Sequence, residues 1–320
     1  MKQFFDYENI RLIPKKGIVR SREECDTSVE FGNFTFALPV YPANMKSVVD
    51  KDTCIFLAEK NIFYTYHRFL DNYIEDQIEF CEVMNKLGHI VSISIGVQKQ
   101  DYNLINKLMG KKLIPDFITI DIAHGHSILM EEMLKYLKSI KISSFLIGGN
   151  ICTIEVVKDL EKWGANSVKV GIGPGKSCIS YNKTGVGSRG YQLSCVKECS
   201  ENSNIPIIAD GGVVYNGDIS KAISCKASLV MAGSFFSAYD QSAGRIIEIE
   251  EGELYKEYYG SASKYNKKEL KNIEGKKILI KYKGDMSRLL IELKEDLQSA
   301  ISYIGGKNIE DLRNAEYYII

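Results

Sequence analysis

Long hydrophobic runs are missing from this 320-residue chain. No stretch approaches the roughly 20 apolar residues of a membrane-spanning helix, so no membrane partner is expected. Charge of one sign is missing too, since 41 lysines and arginines balance 41 aspartates and glutamates. A neutral chain offers no bulk attraction to nucleic acid or to an anionic lipid surface. The segment from Met1 to Glu8 lacks the apolar core of a secretory leader, and none is expected. The eight cysteines follow neither zinc-type nor disulfide-framework spacing. Cys195 and Cys199, four apart on a predicted helix, are a weak metal pair at best. Scattered unpaired thiols suit a reducing, cytoplasmic setting. A dinucleotide-binding G-x-G-x-x-G fingerprint after a first strand is also absent, which counts against a doubly wound open sheet.

What the chain has is a steady rhythm. Eight short β-rich runs begin at Phe36, Ile62, Ile90, Phe117, Ser144, Ser167, Pro206 and Ser228. Most lie roughly 25 residues apart with amphipathic stretches between them, as βα units require. Ile128–Ile140 and Thr153–Trp163 place apolar residues at helical spacing. Eight such repeats predict a single α/β domain over 1–320, a (β/α)8 TIM barrel. Two intervals break the rhythm. After the sixth run comes a Gly/Ser/Thr/Asn-rich segment, read over 179–190 as a mobile catalytic loop. After the eighth, the polar, lysine-rich stretch 244–284 reads as a flap before a last helix, Asp285–Tyr303. Inert surface loops are the plain alternative for both, but barrel chemistry is built from the loops that follow the strands.

The residues just past each run carry the chemistry. They include Asn44, His67-Arg68, Gly96, Asp121 with His124, Gly148-Gly149, Gly173 to Cys178, Asp210-Gly211-Gly212 and Gly233-Ser234. Cys178 follows three glycines at a strand-to-loop junction, where a thiolate can meet a substrate. A turn before a buried cysteine is the competing reading of that loop alone. Asp210-Gly211-Gly212 and Gly233-Ser234 follow strands seven and eight, where barrels often bind phosphate through bare backbone N–H groups. Asp210 is a poor phosphate ligand but a good acceptor for ribose hydroxyls, so the pair suggests a nucleotide monophosphate. His124 and His126 lack a third ligand and read as loop histidines. Lys267-Lys268 and Lys276-Lys277 read as solvated charges.

Several ordered segments resemble the IMP dehydrogenase/GMP reductase family. They are 42–45 (PANM), 67–69 (HRF), 121–126 (DIAHGH), 171–178, 207–212, 231–234, 259–263 (YGSAS) and 272–277 (NIEGKK). The likeness spans essentially the whole chain. It favours the reductase branch, because the flap lacks the dehydrogenase's Arg-Tyr pair and carries Ile273-Glu274-Gly275 instead. The spacing after the second strand also leaves no room for the dehydrogenase's usual regulatory domains.

The resemblance implies that Cys178 attacks C2 of GMP, that ammonia leaves, and that NADPH delivers hydride to release IMP. It implies that Ser180, where the family usually has threonine, and Glu274 supply the leaving proton. It places the phosphate at Gly211, Gly212, Gly233 and Ser234, the ribose at Asp210, and the purine at Gly260, Ser261, Ala262, Lys271 and Gly275. NADPH would be contacted by Ser21, Arg22, His67, Arg68 and Asp121, with Ser299 and Ser302 at its adenosine end. Backbone carbonyls of Gly173, Gly175 and Cys178 would hold a monovalent cation, normally potassium. The family also implies a homotetramer. Two other readings stand beside this one: an IMP dehydrogenase lacking the regulatory insert, and a catalytically silent nucleotide-binding barrel that regulates a partner.

Overall fold

The computed structural model describes residues 4–249, 252–266 and 273–320. Its centre is a curled sheet of seven parallel strands. In spatial order they are Val40–Pro42, Leu229–Ala232, Ile207–Asp210, Ser167–Val170, Phe145–Ile151, Phe117–Asp121 and Ser92–Ile95. The first strand in the chain pairs with the last, Val40 opposite Val230, which wraps the sheet round on itself. The remaining stave is the predicted run at 62–66, reduced to one bridged residue. Tyr66 pairs with Ile93, and its N–H and C=O bond Ser92 and Ser94 at 2.9 Å each. Helices alternate with the strands, so the fold is a (β/α)8 barrel.

The helices form where apolar residues recur at helical spacing. Ile154–Trp163 buries Val156, Val157, Leu160 and Trp163 and ends at Gly164. That glycine has φ +117°, a left-handed conformation that relieves the last carbonyls. Ile128–Ser139 buries Met130, Met133, Leu134 and Leu137 behind a Ser127 cap. The last helix, Met286–Tyr303, is capped by Asp285.

The first predicted strand is misplaced. Phe36 belongs to a hairpin, Val29–Phe31 with Phe34–Phe36, and the barrel strand starts at Val40. Gly32 turns the hairpin at φ +62°, pressed against Phe117. Phe31 packs on Phe63, Phe117 and Phe145 at ring separations of 5.4, 5.8 and 5.1 Å. Phe117 and Phe145 begin their strands, so this aromatic cluster plugs the strands' N-terminal end. The opposite, C-terminal end is left for loops.

The stretch after the eighth strand contains a three-stranded antiparallel sheet of Ile246–Glu248, Leu254–Tyr259 and Lys277–Lys281. Glu257 sits at its base. Arg245 binds Glu257 at 2.8 Å and Lys277 binds the same carboxylate. Lys277 is therefore an ion-pair partner and not a freely solvated charge.

Candidate active site

The sixth strand delivers the glycine–cysteine loop, and buried polar side chains hold that loop in shape. Gln192 Nε2 donates to Val170 O at 2.7 Å. Ser188 N–H donates to Ile172 O at 2.8 Å, and Ser188 Oγ donates to Gln192 Oε1. At Gly171, φ is +154° and an added Cβ would lie 2.0 Å from Asp210 O. Only glycine lets the sixth and seventh strand ends approach so closely.

Cys178 stands apart from most of the other thiols. Six of the eight cysteines are buried, whereas Cys178 is half-exposed. Burial pushes the Cys81 and Cys199 thiols up to about 12, which keeps them neutral and inert. Cys195 is likewise buried and raised, and no cluster of metal-ligating side chains occurs among the described residues. Cys178 Sγ lies 3.2 Å from Ser180 Oγ, and Ser180 Oγ donates to Glu274 Oε2 at 2.5 Å. Three residues from two distant loops thus form one thiol–hydroxyl–carboxylate chain.

The backbone explains how Glu274 arrives. Ile179 N–H donates to Glu274 O at 2.8 Å, and Lys276 N–H donates to Ser177 O at 2.9 Å. Gly275 is bridged to both Cys178 and Ser263. Glu274 N–H donates to Ala262 O at 3.0 Å. Gly260, Ser261, Ala262 and Gly275 therefore surround the cysteine loop. A side chain at Gly260 would press on Gly275 and Ser177, both 3.3 Å away. Lys271 lies outside the described residues.

The turns after strands seven and eight adjoin this loop. Gly211 and Gly212 adopt φ of +92° and +87°. A Cβ on Gly211 would come 3.0 Å from Pro174 and 3.3 Å from Gly175 N. A Cβ on Gly233 would come 2.4 Å from Tyr258 Oη. Tyr258 is a residue that motif reading missed. Its hydroxyl donates to Met45 Sδ at 3.8 Å, and burial pushes it up to about 12. Tyr7 was missed as well, and its hydroxyl donates to Gly211 O at 3.3 Å. Nothing local in the sequence marks either tyrosine, since both reach the site through tertiary packing.

Across the mouth, Asp121 and Asp210 flank Lys169. Lys169 Nζ lies 2.5 Å from Asp121 Oδ1 and 3.3 Å from Asp210 Oδ2. Asn150 Nδ2 donates to Asp210 Oδ2 at 2.8 Å and to Gly171 O at 2.7 Å. Asn150 Oδ1 is buried without a hydrogen-bond partner among the described residues. Arg68 Nε donates to Asp121 O at 3.1 Å. His67 is 3% exposed, and its Nδ1 accepts from Phe69 N–H at 3.1 Å. Burial first, then Lys46, pushes His67 down to about 4, so its ring is neutral.

The remaining predicted cofactor residues lie elsewhere. Arg22 bonds Ser299 Oγ at 3.0 Å and Tyr303 Oη at 2.8 Å. Ser21 caps the short turn Arg22–Glu24. Ser299 and Ser302 sit in the last turns of Met286–Tyr303, a helix that follows the eighth strand. A barrel helix runs back toward the strands' N-terminal end. Ser21, Arg22, Ser299 and Ser302 therefore group at the opposite end of the barrel from Arg68 and Asp121.

The family model described as IMP dehydrogenase / GMP reductase domain matches residues 4–320. A protein named GMP reductase from Oceanobacillus iheyensis is 49% identical over 320 residues, covering 100% of this chain and 97% of its own. One of that name from Variovorax paradoxus is 51% identical over 316 residues, covering 98% and 95%. One from Clostridium acetobutylicum is 48% identical over 320 residues, covering 100% and 97%.

Proposed function

This chain belongs to the IMP dehydrogenase / GMP reductase family, and we propose that it is a GMP reductase, converting GMP, NADPH and two protons to IMP, NADP+ and ammonium. The observation that carries this reading is the contact of Cys178, Ser180 and Glu274. That chain is what a deaminating thiol needs. Glu274 draws the thiol proton through the Ser180 hydroxyl, and the sulfur attacks C2 of the purine. The same relay returns a proton to the departing amine, because an amide anion is a prohibitive leaving group. The C2–N bond breaks and a thioimidate on Cys178 remains. NADPH, held beside Arg68 and Asp121, would supply a hydride to C2. The C2–S bond then breaks, and Cys178 leaves as thiolate.

The other ligand contacts in this reading are those that the family resemblance implies. Gly211, Gly212, Gly233 and Ser234 offer the phosphate a cradle closed to side chains. Asp210 accepts from the ribose, and Gly260, Ser261, Ala262 and Gly275 border the base. Asp121 and Arg68 sit where a nicotinamide half would lie. Asn150 Oδ1 is a buried acceptor that fits a ligand donor there. Carbonyls of Gly173, Gly175 and Cys178 suit a potassium ion. Gly175 O already accepts Cys178 N–H at 3.0 Å and keeps a second lone pair. Ser21, Arg22, Ser299 and Ser302 would meet the adenosine end of a cofactor bound mainly by another subunit. That division supports a homo-oligomer; the tetramer comes from the family resemblance, and the cytoplasmic setting from the scattered unpaired thiols.

The dehydrogenase alternative is weakened at the flap. Arg245, the single arginine from 244 to 284, is paired with Glu257 at the base of the sheet. The test is a pair of incubations, GMP with NADPH and IMP with NAD. NADPH oxidation in the first supports the reading, and NADH formation in the second overturns it.

A further inference from the structure

Lys169 has no place in the motifs, yet it is one of the few fully buried charges among the described residues. It lies inside the sixth strand with its side chain 2% exposed. A buried lysine costs several kcal/mol unless it is paired. Here it reaches two carboxylates on strands four and seven, which are not neighbours. The route is built into the sheet register. Asp121 lies opposite Gly149, and Gly149 lies opposite Lys169. A Cβ on Gly149 would stand 2.7 Å from Lys169 Cβ. The glycine removes the side chain that would otherwise fill this layer, and the lysine stem occupies the space.

The consequence falls on Asp210. Lys169 and Asn150 both bind its Oδ2. Its Oδ1 makes no hydrogen bond among the described residues, and the side chain is 16% exposed. We propose that Lys169 is a positioning residue, tying Asp121 and Asp210 into one unit and aiming the free oxygen of Asp210 at the nucleotide's ribose. This rests on the reading that Asp210 meets GMP.

The surrounding charges support it. Burial raises Asp210 above the usual carboxylate range, Lys169 and Asn150 oppose that rise, and Asp121 adds to it. Asp121, closer to the lysine, is held below its ordinary value against its own burial. Arg68 is the other cation acting on Asp121. Tyr7, Tyr41 and Tyr258 face the same carboxylates, and burial keeps all three phenols neutral. Without Lys169, two carboxylates would share one dry site, and burial and Asp121 would push Asp210 further toward its protonated form. A protonated Asp210 is a poorer acceptor for ribose hydroxyls.

The test is calorimetric binding of GMP to the full chain, without cofactor, from pH 5.5 to 8.5. Wild-type protein tests the functional reading; if it binds no GMP, that reading and this proposal fall together. Given wild-type binding, Lys169→Met should weaken it about tenfold or more at pH 7. The loss should shrink as pH rises and Asp210 ionises again. Unchanged affinity with an unchanged pH profile overturns the proposal alone. The double variant Lys169→Met with Asp121→Asn removes the like-charge repulsion and protects the fold. It should still bind GMP weakly. Wild-type affinity in the double variant would show that Lys169 only neutralises Asp121, and would overturn the positioning role.

Discussion

Cys178 and Gly275 face each other as an antiparallel bridge, although 244–284 lies beyond the eighth strand and Cys178 beyond the sixth. The bridge couples the nucleophile to the excursion that carries Glu274. The bridge thus holds Glu274 beside the cysteine loop. The first expectation follows. Ser180→Ala and Glu274→Gln should each lower kcat by roughly a hundred- to ten-thousandfold. The KM for GMP should change far less, because neither side chain is assigned to ground-state binding. Steady-state kinetics with GMP and NADPH check this, and an active Ser180→Ala enzyme with unchanged ammonia release would remove Ser180 from the mechanism.

The turn proposed to bind phosphate should be sensitive to a single methyl group. In Gly233→Ala the new Cβ would meet Tyr258 Oη at 2.4 Å. Tyr258 must shift, and with it the wall that its hydroxyl forms against Gly233 and Met45. The KM for GMP should rise about tenfold or more, alongside an overpacking cost of about 1–3 kcal/mol in stability. A variant that unfolds before it loses GMP affinity would argue for a structural role instead.

His67 should impose an acid sensitivity. Its folded-state value of about 4 lies below the ordinary 6.5. Between those two pH values the unfolded chain binds a proton that the folded chain does not. Stability therefore falls as pH drops from 6.5 to 4, by up to about 3 kcal/mol from this one group. His67→Asn should flatten that part of the pH dependence in denaturant titrations. An unchanged slope would show that the ring is protonated in the fold.

The aromatic plug should carry stability and not chemistry. Phe31 is 1% exposed and touches three phenylalanines at the closed end. Phe31→Ala should cost about 3–5 kcal/mol. Residual folded enzyme should keep its KM for GMP, since the cavity lies at the far end of the barrel.

The eight-beat rhythm was legible because each βα unit repeats the same burial pattern, as in Ile154–Trp163. Its errors came where tertiary pairing overrides local pattern. Phe34–Phe36 looks like a barrel strand but pairs with Val29–Phe31, and Thr65-Tyr66 keeps only one bridge. Cys178 and the glycine turns stand out by residue type and local order, whereas Glu274 enters only through the family resemblance. Lys169 could not be read, because one lysine in an apolar strand gives no hint of its partners. Its meaning depends on Gly149, twenty residues earlier, and on two carboxylates brought together only by the sheet register. The cofactor residues show the converse. The family resemblance joins Ser21, Arg22, His67, Arg68, Asp121, Ser299 and Ser302 into one role, but the barrel divides them between its two ends.

The most direct test measures NADPH consumed, ammonia released and IMP formed in one reaction, with wild-type protein and with Cys178→Ala. A ratio of 1:1:1 for the wild type, as the balanced reaction requires, and no turnover for Cys178→Ala is the result this account predicts. Normal GMP turnover by Cys178→Ala, or NADPH oxidation without ammonia, would contradict it.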